Sequence, residues 1–143
     1  MPISFINIVL LALLLASCSG SEEEKLPKII TDGFEMYQKK GADWAINTWG
    51  SSWSEEYSSS KNILRNSLIE NEKNFGAFKG FDPVKTVAIG KKYQQHYVTL
   101  LYEVSPVFAV FTTYQNPKDE WVVMNISWNS EPKEIFPEKI YLR

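Results

Sequence analysis

The sequence predicts an α+β domain in which N-terminal helices pack on one face of a curved antiparallel sheet of about four strands. Three observations indicate this class. Apolar residues recur at three- and four-residue steps in the first half of the chain, which is the period of an amphipathic helix. In the second half they alternate with polar residues, which is the period of a half-buried strand. Clusters of Gly, Pro, Asn and Asp separate the alternating segments and are typical of turns.

The helical half is predicted to begin near Ile30. Its apolar period continues to Ser52 and predicts either one helix or two helices broken near Gly41. A further helix is predicted over residues 61–75, with Ser60 as its N-cap and Gly76 as its stop. Its buried side is predicted to consist of four apolar residues, which are Ile63, Leu64, Leu68 and Phe75.

Four strands are predicted in the second half, over residues 84–89, 93–104, 107–114 and 121–128. Short turn segments connect them: residues 90–92, the pair Ser105-Pro106, and residues 116–119, which read Asn-Pro-Lys-Asp. Because the connections are short, consecutive strands are expected to pair antiparallel as a meander.

This order of helices followed by long strands resembles the cystatin-like, nuclear transport factor two-like α+β roll of small exported domains. The resemblance is carried by Gly-Ala-Phe-Lys-Gly-Phe-Asp at residues 76–82, Ser-Pro-Val-Phe at 105–108 and the segment 114–125, within residues 30–130 of the chain. None of these segments is a catalytic signature. The resemblance therefore implies a fold and leaves the function open.

The N-terminus has the pattern of a bacterial lipoprotein signal. Residues 5–16 are apolar except for Asn7, and this stretch is shorter than the about 20 residues that span a bilayer. Leu-Ala-Ser-Cys at residues 15–18 resembles the lipobox of bacterial lipoproteins, which implies cleavage before Cys18 and a thioether-linked diacylglycerol on its thiol. One feature departs from the pattern, since no Lys or Arg precedes the apolar stretch. Cys18 is the only cysteine, so no intrachain disulfide can form.

The chain is therefore divided into a signal peptide (residues 1–17), a lipidated cysteine with a polar tether (18–27) and a single α+β roll domain (28–143). A net charge of −2 without a basic stripe argues against nucleic acid as the main partner. The resemblance to lipoproteins implies a membrane as the partner, reached through the lipid on Cys18. By the same resemblance, Ser19 after the lipidated cysteine implies the outer membrane, facing the periplasm, if the organism is Gram-negative.

No residue pattern predicts a metal or a cofactor, and the acid–base candidates are weak. His96 is the only histidine, and a structural role is expected for it. Some enzymes of the roll fold place an Asp in an apolar cavity, which makes Asp43 and Asp82 the candidate catalytic residues. A phenol would come from a tyrosine, either Tyr37, Tyr97 or Tyr102. The simpler interpretation puts Asp43 on the solvated side of a helix and Asp82-Pro83 at a turn or the start of a strand.

Aromatic residues make up 14% of the chain, and several are candidates for lining a cavity between helices and sheet. The candidate lining residues are Tyr37, Trp44, Trp49, Phe78, Leu100, Tyr102, Phe111 and Trp128. The alternative is that these side chains fill the core, because protein interiors are close-packed by default.

We interpret the chain as a lipid-anchored protein of the cell envelope with a non-catalytic domain that binds a small apolar ligand or an envelope protein. Two alternatives are an acid–base enzyme, either an isomerase or a hydrolase, and a structural accessory subunit of an envelope complex. The enzyme requires a buried carboxylate beside an open cavity, and the ligand binder requires the cavity alone. The accessory subunit requires a contiguous exposed apolar patch larger than about 400–600 Å².

Overall fold

The computed structural model describes residues 24–141 as a helical layer followed by one four-stranded sheet. The elements are α1 (Lys28–Lys40), α2 (Ala42–Trp49), α3 (Ser58–Phe75), β1 (Phe78–Ala88), β2 (Tyr93–Tyr102), β3 (Pro106–Gln115), β4 (Trp121–Asn129) and α4 (Glu138–Tyr141). The strands follow one another as an antiparallel meander in the order β1-β2-β3-β4. The predicted α+β class is therefore confirmed. The predicted signal peptide and Cys18 lie outside the described residues.

The predicted break at Gly41 separates α1 from α2. Gly41 has a φ of 96°, a conformation that favours glycine, and its N–H closes α1 by donating to the Tyr37 carbonyl. The chain then turns back, so that the indole of Trp49 lies against α1 and donates to the Ile30 carbonyl at 3.1 Å. This contact requires Gly33, because a Cβ atom at that position would overlap the Trp49 ring.

The predicted start of α3 is wrong. The helix begins at Ser58, directly after a 3₁₀ turn over Glu55–Tyr57, and Ser60 lies inside it rather than at its N-cap. The turn provides a backbone acceptor, because the Ser58 N–H donates to the Glu55 carbonyl, and no side chain caps the helix. The predicted end at Gly76 is confirmed, with a φ of 83°.

The predicted buried side of α3 is partly wrong. Leu68 is fully buried, and Leu64 and Phe75 pack against the core, but Ile63 is 68% exposed. Adjacent helix residues point about 100° apart, so a narrow contact stripe accepts Leu64 and turns Ile63 to the solvent.

Two strand boundaries differ from the prediction by two residues or more. β1 begins at Phe78, so Asp82-Pro83 lies within the strand and not at a turn or at its start. Proline is tolerated there because β1 is at the edge of the sheet, and the register shifts immediately after Pro83. β2 ends at Tyr102, two residues before the predicted end, and Val104 is 78% exposed in the following turn.

The two faces of the sheet are covered differently. Alternate residues of the strands pack against α1, α2 and α3, and Phe34 of α1 contacts the rings of Trp49, Phe81 and Phe111 at centroid distances of 5.1, 4.3 and 5.4 Å. The opposite face receives the C-terminal segment, for which the sequence predicted no element. Its Phe136 packs edge-on against Tyr97 and Phe108, at 5.8 and 5.3 Å.

Candidate functional site

Most of the residues predicted to line a cavity are instead core residues. Six of the eight are buried in one cluster between the helices and the sheet, which are Tyr37, Trp49, Phe78, Leu100, Tyr102 and Phe111. Trp128 borders this cluster and donates its indole N–H to the Ser67 hydroxyl at 2.7 Å. Trp44 is 50% exposed on α2, with the Lys40 ammonium 4.1 Å from its ring centroid. These contacts place the aromatic candidates in packing roles.

The two buried tyrosines tie three elements together. The hydroxyl of Tyr37 in α1 donates to the Leu68 carbonyl of α3 at 3.3 Å, and it lies 3.0 Å from the Tyr102 hydroxyl of β2. Since Tyr37 donates to Leu68, Tyr102 donates to Tyr37. Burial raises the pKa of both phenols above the usual value, so both stay protonated at physiological pH.

Neither acid–base candidate is a desolvated carboxylate beside a cavity. Asp43 is exposed in the first turn of α2 and forms an ion pair with Arg65 of α3. Asp82 is exposed on β1, opposite Thr99 of β2. A general base tuned by burial requires an apolar environment, and these two positions do not provide one. The acid–base hypothesis therefore gains no support from the residues on which it depends.

His96 is a buried link between three strands. Its Nδ1 lies 3.0 Å from the Thr86 hydroxyl of β1, and its Nε2 lies 2.9 Å from the Thr113 hydroxyl of β3. Burial lowers the pKa of His96 to about 4, so the ring is neutral at physiological pH. Within residues 24–141, no group of three or more His, Cys, Asp or Glu side chains is placed to hold a metal ion.

The candidate site is a surface groove of about 560 Å³ between the start of α3 and the β3–β4 hairpin. We call it the aromatic groove, and its walls are Ser52, Trp53, Ser54, Tyr57, Ser60, Leu64, Tyr114, Asn116, Val122, Met124 and Asn125. Three of these residues are aromatic, one tryptophan and two tyrosines. Five others are serines or asparagines, which carry a hydroxyl or an amide. Its volume lies in the range of small-molecule sites, about 300–1,000 Å³.

Hydrogen bonds fix both walls of the aromatic groove. On the helical side, the Trp53 indole N–H donates to the Val123 carbonyl of β4 at 2.6 Å, which joins the loop before α3 to the sheet edge. On the hairpin side, the Asn116 side-chain oxygen accepts from the N–H groups of Lys118 and Glu120, at 2.9 and 3.0 Å. The groove is thus formed by backbone that is held in place.

The lining of the aromatic groove is amphipathic and uncharged. Tyr57 and Met124 are 51% and 54% exposed, and Tyr114 is also exposed. None of the lining residues is Asp, Glu, Lys, Arg or His. The groove therefore offers apolar surface together with hydroxyl and amide hydrogen-bonding groups, and it has no ion to pair with a charged ligand.

A second cleft, of about 690 Å³, lies between the opposite sheet face and the C-terminal segment. Its lining includes three charged residues, Lys85, Glu138 and Lys139. The Lys85 ammonium already faces Glu24 at 3.8 Å, and one wall is formed by the four-residue helix α4 and Pro137. We therefore take the aromatic groove, whose walls are hydrogen-bonded, as the candidate site.

Sequence reasoning did not identify the aromatic groove. Trp53 and Val123 are 70 residues apart, and no local motif indicates that they meet. The one local signal was the turn at residues 116–119, which positions Asn116. Comparison with protein-family models, with curated proteins and with solved structures gave no match for this chain.

Proposed function

We propose that this chain is a lipid-anchored, non-catalytic binding domain of the bacterial cell envelope, and that it binds a neutral saccharide in the aromatic groove. The anchoring part rests on the signal-peptide pattern and on Leu-Ala-Ser-Cys at residues 15–18. If the organism is Gram-negative, Ser19 after the cysteine supports the outer membrane as its location. The binding part rests on one observation, the uncharged groove that combines three aromatic residues with hydroxyl and amide groups.

Aromatic side chains suit a saccharide because their ring faces are partly negative and attract weakly positive C–H groups. Trp53, Tyr57 and Tyr114 provide such rings in one groove. Sugar hydroxyls both donate and accept hydrogen bonds, and so do the side chains of serine, asparagine and tyrosine. A purely apolar ligand would leave these polar groups without partners, which costs binding free energy.

The absence of charged lining residues defines the ligand further. A charged ligand bound in this groove would lose hydration and gain no ion pair in return, which is unfavourable. A neutral ligand loses less hydration. The groove therefore favours neutral sugars over phosphorylated or acidic ones.

The direct test is a titration of the lipidated protein in nanodiscs with two neutral trisaccharides, maltotriose and triacetylchitotriose, followed by tryptophan fluorescence. We expect saturable binding of at least one of them, because Trp53 lines the groove and reports on its occupancy. Replacing Tyr57 with Ala should weaken this binding at least tenfold, which corresponds to about 1.4 kcal/mol.

Val104→Ala is the control. Val104 is also an exposed apolar residue, but it lies in the β2–β3 turn and does not line the groove. Its replacement should leave the affinity unchanged. If neither trisaccharide binds, or if both substitutions weaken binding equally, the saccharide proposal is wrong.

A further inference from the structure

An exposed turn with apolar and basic residues lies near the point where the N-terminal tether joins the fold. Glu24 lies 3.8 Å from Lys85 of β1, and Leu26 is buried in the core, so the chain enters the fold beside the second half of β1. The β1–β2 turn (residues 89–92) begins four residues after Lys85, and its first residue, Ile89, is 53% exposed. Lys91 and Lys92 follow it and are exposed.

Chain length limits how far this end can lie from the anchor. Glu24 is the sixth residue after Cys18, and six residues of extended chain span at most about 21 Å. Four strand residues place Ile89 about 13 Å beyond Lys85. The opposite end of the sheet is further from Lys85. Tyr97 of β2 pairs with Lys85, and Val104 is seven residues after Tyr97, which places Val104 about 23 Å from this pair.

We propose that the β1–β2 turn is a membrane contact, which places Ile89 at the headgroup boundary and Lys91 and Lys92 among the headgroup phosphates of the bilayer that carries the anchor. This inference rests on the proposed lipid anchor. An exposed apolar side chain gains free energy by leaving water, and lysines beside it are attracted to anionic lipid. Tyr93, which is exposed at the start of β2, adds an aromatic ring of the kind that is favoured at membrane interfaces.

The neighbouring charges permit this contact. Lys92 lies 3.6 Å from Asp119, and both side chains are exposed, so water and salt screen the pair. Lys91 has no ion pair with another of residues 24–141. Both lysines are therefore available to lipid phosphates at little cost.

The test uses the processed, lipidated chain in vesicles of phosphatidylethanolamine and phosphatidylglycerol. Once Cys18 carries lipid, an introduced cysteine is the only free thiol, because the sequence contains no other cysteine. An environment-sensitive fluorophore is attached to Ile89→Cys, and nitroxide-labelled lipids quench it according to its depth. Val104→Cys is the matched control, since Val104 is also an exposed apolar residue in a hairpin turn but lies at the opposite end of the sheet.

We expect several-fold stronger quenching at position 89 than at position 104. This difference should be lost in vesicles of phosphatidylcholine alone, because they lack the anionic lipid that attracts the lysines. Equal quenching at the two positions in protein that floats with the vesicles overturns the membrane contact and leaves the anchor intact. Protein that does not float with the vesicles overturns the anchor and this inference together. Both substituted residues are exposed, so neither variant removes a core contact.

Discussion

The buried polar residues are cross-links within the fold. His96 joins β1, β2 and β3 through two threonine hydroxyls, and the Tyr37–Tyr102 pair joins α1, α3 and β2. A side chain whose hydrogen-bonding groups are occupied by protein partners is not available to a substrate. Both ring nitrogens of His96 are occupied in this way, so its hydrogen-bonding groups serve the fold.

His96 should make stability depend on pH. Its pKa falls from an ordinary 6.5 to about 4 on folding, so the unfolded chain binds a proton first as the pH falls. The contribution of neutral His96 is complete above pH 6.5 and is lost between pH 6.5 and pH 4. For these two pKa values, the free energy of unfolding should fall by about 1 kcal/mol between pH 7.5 and pH 5.5.

Urea unfolding at the two pH values measures this loss, and His96→Gln is the comparison. Glutamine keeps hydrogen-bonding groups at the site and has no titrating proton. The variant should be less stable at pH 7.5 but lose little further stability at pH 5.5. An equal pH dependence in the two proteins would show that His96 is not the titrating group.

Among α1, α2 and α3, helix α3 has the fewest buried residues, since only Leu68 is buried, and it also forms one wall of the aromatic groove. The sequence predicted this helix and its end correctly because the period and Gly76 are local signals. It placed Ile63 on the buried side because periodicity does not determine the width of the contact stripe. Asp82-Pro83 was misplaced for a related reason, since a proline is compatible with a strand only if that strand is at a sheet edge.

A pair of substitutions in α3 tests whether Leu68 contacts the core and Ile63 does not. Leu68→Ala should lower the free energy of unfolding by about 2–5 kcal/mol, because it removes a fully buried side chain from a packed core. Ile63→Ala should change it by no more than about 0.5 kcal/mol, because Ile63 is mostly exposed. Chemical denaturation of both variants provides the comparison. A similar loss for the two would mean that Ile63 also contacts the core.

For the whole molecule, the sheet meander determines how the proposed sites are arranged. Tyr93 at the start of β2 pairs with Tyr114 of β3, so the β1–β2 turn and one end of the aromatic groove lie at the same end of the sheet. The tether joins the fold beside Lys85, about 13 Å from this end. If the turn contacts the bilayer, the groove opens close to the membrane surface.

The groove could not be predicted from the sequence, because Trp53, Tyr57 and Tyr114 meet only through the tertiary fold. Among residues 24–141, no helix has the length and apolarity to span a bilayer.

The most direct test of this account is metabolic labelling of the full chain with an alkyne-tagged fatty acid, in parallel with the Cys18→Ala variant. The proposed anchor predicts that the parent protein is labelled and found in the membrane fraction, and that the variant is neither labelled nor processed. Labelling that persists in Cys18→Ala, or a parent protein without label, would contradict the lipid anchor and the membrane contact that rests on it.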